Sequence, residues 1–87
     1  MLVMTDTMTK RDKRIAALRQ NPKAVRFENA CCIAESLGFE WQGGHGSHRT
    51  YGRYNEPTLL NFQDRNGYIK PHQARQLIEV VDKYECD

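Results

Sequence analysis

Residues Gly43-Gly44-His45-Gly46-Ser47-His48-Arg49-Thr50-Tyr51 set two histidines among three glycines and follow them with an arginine and an aromatic. An imidazole changes charge near neutral pH, so it can accept or donate a proton without help from a metal or cofactor. Glycines beside it project no side chain and let a polymer backbone come close. A set of this kind suits phosphodiester transfer in RNA, where the 2′-hydroxyl is a built-in nucleophile. That reaction needs a base for the hydroxyl, an acid for the departing 5′-oxygen, and positive charge on the phosphate. A positioned proton-transfer group contributes ~10²–10⁴-fold, and cations on the phosphate add electrostatic stabilisation. In this reading His48 is the base or acid. Gly46 opens the approach, Ser47 bonds the phosphate or shapes the loop, and Arg49 and Lys70 are the phosphate-contacting cations.

The other reactive residues carry less. A histidine on a strand is ordinarily a surface or packed residue, and His45 reads as part of the loop. His72 falls in the first turn of a helix, where the dipole disfavours a cation and a neutral polar role fits better. His45-x-x-His48 is not a zinc pairing, and no spaced cysteine or carboxylate completes one, so no metal and no cofactor is expected. Cys31 and Cys32 are adjacent, which strains a disulfide between them, and neither has the C-x-x-C spacing of a redox or zinc site. Cys31 is expected in the core and Cys86 in the tail. Trp41 is expected in the core, and Tyr51 either there or stacked on a base.

Composition sets the frame for these residues. An 87-residue chain is one domain with a small core. With 39% hydrophobic and 28% charged residues it is neither disordered nor membrane-spanning. The first ten residues, MLVMTDTMTK, lack a basic segment followed by an apolar stretch of secretory length, so a cytoplasmic location is expected. Residues 43 to 75 hold five cations against Glu56 and Asp64, a net of +3, together with all three histidines. Lys10, Arg11, Lys13 and Arg14 form a second basic cluster. Positive charge interleaved with aromatics suits a polyanion such as nucleic acid.

The elements that must position these groups follow from periodicity. Residues 1–8 read as a flexible tail, and 9–87 as the single domain. Thr9 and Asp12 have capping-box spacing, and Ile15 and Leu18 form a thin apolar stripe before Asn21-Pro22 stops the helix. Phe27, Ala30, Cys31, Ala34 and Leu37 mark an amphipathic helix, with Gly38 as its cap. Strands are expected at 39–42, 47–53 and 58–62, separated by the glycine loop and by a turn at Asn55-Glu56-Pro57. Asp64-Arg65-Asn66-Gly67 is a strong turn, and Pro71 opens a last helix with Ala74, Leu77, Ile78, Val81 and Tyr84 on one face. The order predicts an α+β fold, a three-stranded antiparallel meander packed on two helices with one sheet face open.

Leu37-Gly38-Phe39, a short strand, and Gly46-Ser47-His48 entering the next strand together resemble the HicA family of bacterial toxins. Lys70-Pro71-His72-Gln73-Ala74-Arg75-Gln76 is similar to the corresponding segment in part of that family, and the likeness spans roughly residues 12 to 84. The resemblance implies a fold like the double-stranded-RNA-binding domain (dsRBD), with an extra N-terminal helix here at residues 9 to 20. It implies metal-independent cleavage of mRNA with the Gly-Ser-His histidine, His48, essential. It also implies neutralisation by a HicB-type antitoxin. The chain departs from the family in that extra helix, and in having Phe62-Gln63-Asp64 where a proline and a histidine often end the third strand. Two other readings stand beside this one: a non-catalytic RNA-binding module of the same shape, and a protein whose sole partner is another protein.

Overall fold

The computed structural model describes residues 9–85, so the expected N-terminal tail and Cys86 lie outside it. Three helices and three strands follow in the order α1 (Lys10–Gln20), α2 (Phe27–Ser36), β1 (Glu40–Gly43), β2 (His48–Gly52), β3 (Leu60–Gln63) and α3 (Pro71–Glu85). The strands form one antiparallel sheet in the order β1-β2-β3, the meander that short connections require. No helix among the described residues is long and apolar enough to cross a membrane.

Local chemistry sets the start of α1 and the end of α2, and a tertiary contact sets the start of α2. Thr9 caps α1 by accepting from the Asp12 amide, and the Asp12 carboxylate accepts from the Thr9 amide in return. α2 has no side-chain cap. Its first amide, Phe27 N–H, instead donates to the Gly67 carbonyl at 2.8 Å, and the Ile69 amide donates to the Val25 carbonyl at 2.9 Å. Residues 25–27 therefore pair with residues 67–69, a tertiary cap that local periodicity does not show. Gly38 ends the helix in the left-handed region, at φ +90°.

The core lies between the sheet and the helices. Ala30, Cys31, Ile33 and Ala34 of α2 meet Leu77, Val80 and Val81 of α3 over Tyr51, Leu60 and Phe62 of the sheet. Each fully buried side chain of Leu or Phe size contributes about 1.5–3 kcal/mol. α1 adds just Ile15 and Leu18 to this core. Its position depends also on charge: Arg11 pairs with Glu85 and bonds Ser36, and Arg19 pairs with Asp82 at 2.7 Å. Burial holds Cys31 as the protonated thiol, its pKa pushed up foremost by desolvation, so it acts as a small core residue.

Trp41 departs from its expected core position. The residue is 52% exposed, on the edge strand β1. The indole covers Arg49 instead, 4.4 Å from the guanidinium carbon, and donates through Nε1 to the Gly43 carbonyl at 2.7 Å. Tyr51 resolves the other way. It is fully buried, and its hydroxyl donates to Glu35 at 2.9 Å, so it stacks on no base. Burial is the foremost reason its pKa rises, which keeps the hydroxyl a donor.

Candidate functional site

Three chain segments converge at one end of the sheet: the β1–β2 loop, the end of β3 and the start of α3. His48 opens β2 and pairs in register with Gln63, the last residue of β3. The Asp64 amide donates to the Ser47 carbonyl at 2.7 Å, closing this pair. Gln73 then ties the pair to the helix. Its buried amide oxygen accepts from the Gln63 amide at 3.2 Å and from the Lys70 amide at 3.1 Å. A Gln at the third helical position that accepts from the cap amide is half of a capping box. The Lys70-Pro71-x-Gln73 spacing carried that signal, although Gln73 was not among the expected site residues.

The glycine loop is shaped for its histidine. Gly44 sits at φ +84°, and a Cβ there would come within 2.6 Å of the His48 carbonyl oxygen. The loop thus packs its own backbone against the residue that carries the ring, which a larger residue at 44 prevents. Gly46, at φ +66°, has open space where a Cβ would stand. The His48 amide closes a turn onto the His45 carbonyl at 3.3 Å. Ser47, His48 and His45 are all exposed, and Ser47 Oγ lies 3.4 Å from His48 Nδ1. The ring is therefore open to solvent, with one hydroxyl beside it.

Strand alternation divides the other expected residues. His48 and Thr50 face away from the helices, where Thr50 bonds Asn61 at 2.7 Å. Arg49 faces the helices with Tyr51. Its guanidinium lies over Trp41 and, at 5.5 Å, over Phe27, with Nη1 3.5 Å from the Tyr51 hydroxyl. The structure does not bring Arg49 and His48 together on one face. Lys70 does sit at the junction, half-buried, held there through its amide by Gln73. His72 lies exposed in the first turn of α3, next to that clamp. Among the described residues, no three His, Cys, Asp or Glu side chains converge as a metal cluster.

His48 lines neither of two clefts in the surface of the described residues. One, about 230 Å³, lies among α1, the α1–α2 connection and Tyr68. The other, about 480 Å³, lies at the opposite end of the sheet around Gly52 and Arg53. Enclosed pockets suit small molecules; an imidazole on an open rim can be reached by an extended chain. Compared with known proteins, the chain matches no family model, no curated protein and no solved structure.

Proposed function

We propose that this chain is a metal-independent endoribonuclease that cleaves mRNA, the toxin of a HicA-type toxin–antitoxin pair. In this reading the fold is of the dsRBD type, the protein acts in the cytoplasm, and a HicB-type antitoxin neutralises it. One observation carries the reading: the His48 ring is exposed where a glycine loop, a strand end and a helix start meet, and it lines no enclosed pocket.

His48 takes or gives the proton at the 2′-hydroxyl or the 5′-oxygen. Gly46, with open space where a Cβ would stand, keeps a side chain out of the path of the ribose-phosphate chain, and Gly44 lets the loop pack against the His48 backbone. Ser47 Oγ, beside the imidazole, orients it or bonds the phosphate. Lys70 supplies positive charge from the start of α3. Arg49, whose guanidinium lies over Trp41 on the helix-facing side, is turned away from His48 and is not a phosphate contact at the cleavage point.

That orientation of Arg49 favours a second reading, a non-catalytic RNA-binding module, because it removes one cation from the proposed cleavage point. The two part in a single experiment. Purified protein is incubated with single-stranded RNA in EDTA, beside His48→Ala. Cleavage to 2′,3′-cyclic phosphate ends, lost in the variant, supports the ribonuclease. Intact RNA with a salt-sensitive mobility shift supports the module. Cleavage that persists undiminished in His48→Ala sinks the catalytic assignment.

A further inference from the structure

The basic residues of α1 divide into two groups. Arg11 and Arg19 are taken up by Glu85 and Asp82 of α3. Arg14 lies on another part of the helix surface and lines the 230 Å³ cleft together with Arg26. Among the described residues neither Arg14 nor Arg26 is in an ion pair. Buried Leu18 and Val25 form part of the cleft's apolar lining, and Asn29 and Tyr68 bring an amide and an aromatic ring to it. Tyr68 is 40% exposed, with the Arg26 guanidinium carbon 5.8 Å from its ring centre. Two such guanidinium groups, a side-chain amide and an accessible ring over an apolar lining match one ligand chemistry. The cations bind a phosphate, the ring stacks on a base, and the amide bonds a base edge.

Position links this cleft to His48. Arg26 bridges Tyr68 through the backbone, and Phe27 N–H bonds Gly67. At the other end of the same turn, Asp64 N–H bonds Ser47. The cleft and the candidate catalytic rim are thus the two sides of the Asp64–Tyr68 turn, with exposed Arg65 between them. We infer that the Arg14–Arg26–Asn29–Tyr68 cleft binds one nucleotide of a single-stranded RNA whose chain crosses this turn to His48. The choice of RNA as ligand rests on the function proposed above; the cleft's chemistry does not.

The test uses a fluorescent, fully 2′-deoxy oligonucleotide of mixed sequence, which lacks the nucleophile and stays intact. Its affinity is read by anisotropy at several salt concentrations for wild type, Arg14→Gln, Arg26→Gln, Tyr68→Ala and His48→Ala. Circular dichroism and thermal melts confirm folding, and the Gln variants, at surface positions, keep the test readable if Tyr68→Ala melts early. Each Arg variant is expected to weaken binding about tenfold and to flatten the salt slope by ~0.7 for each phosphate no longer neutralised. His48→Ala is expected to weaken binding less than either Arg variant and to leave the salt slope as in wild type. Wild-type affinity and slope in both Arg variants overturns the inference and leaves the cleft to a protein partner. Cleavage of an all-RNA strand is measured in parallel. Cleavage with an unchanged KM in the Arg variants removes the cleft alone, whereas binding through the cleft without any cleavage removes the ribonuclease and keeps the cleft.

Discussion

The two ends of the sheet both carry polar side chains, but one end pairs them within the protein and the other leaves them to solvent. At the Gly52 end, the charges of Arg53 and Glu56 are spent within the protein. Arg53 donates to the Leu37 carbonyl at 2.7 Å and lies 3.7 Å over the Tyr84 ring. Glu56, nearly inaccessible, accepts from Lys83, from Tyr84 and from the Thr58 amide. At the His48 end, the backbone is equally well tied, through Ser47–Asp64 and through Gln73, but the side chains of His45, Ser47 and His48 project into solvent. A backbone held rigid beneath unspent side chains is the arrangement that a preorganised site requires. One end holds the end of α2, the β2–β3 connection and the end of α3 together. The other end leaves two imidazoles and a hydroxyl facing solvent.

The contrast can be broken by substitution. The largest effect is expected from His48→Ala: RNA cleavage falls ~10²–10⁴-fold, while the melting temperature stays that of wild type because the side chain is exposed. A melt lowered by many degrees would show that the ring is structural. Next in size is Gly44→Ala, which forces a left-handed residue at a cost of ~1–2 kcal/mol and pushes a Cβ into the His48 carbonyl. It should lower both the melting temperature, by ~4–8 °C per kcal/mol, and cleavage. Gly46→Ala, with free space at its Cβ, should cost less in both assays.

At the other end the expected effect is on stability under acid. The Glu56 carboxyl is pulled down to about 2, first by Lys83, then by Tyr84 and the Thr58 amide. A carboxyl whose folded value lies below its unfolded one favours the folded state when ionised. That stabilisation is complete above the ordinary carboxylate range and disappears as pH falls toward and through about 2. Glu56→Gln should therefore melt earlier at pH 7 and lose less than wild type as the solution is acidified through that window, with cleavage at neutral pH unchanged. The smallest effect belongs to Arg19→Ala, which removes an exposed ion pair with Asp82. Chemical denaturation should show a loss of less than ~1 kcal/mol, and added salt should shrink it by screening the pair in the wild type.

Much of the framework was legible from local pattern. Thr9 and Asp12 cap α1 as their spacing predicts, and Phe27, Ala30, Cys31, Ala34 and Leu37 are all buried as their helical period predicts. Strand ends shifted by one or two residues, since β3 runs Leu60–Gln63 rather than from Thr58. Registers between strands set those limits, and periodicity within one strand does not contain them. The candidate site was legible as residue types rather than as an arrangement. His48, Ser47 and Lys70 meet at one junction, but Arg49, adjacent in sequence to His48, belongs to the opposite face. Gln73, the residue that joins β3 to α3, is an ordinary helix-start glutamine until Gln63 is brought against it.

The chain alone determined which segments are helical, where glycines let it turn back, and that one histidine would stand at the start of a strand. These follow from interactions among residues a few positions apart. Only tertiary structure decided that Trp41 would lie over Arg49, that Glu56 would be enclosed by Lys83 and Tyr84, and that residues 25–27 would pair with 67–69. Those contacts join residues distant in sequence. Their energies depend on which surfaces the fold presses together and which it leaves to water.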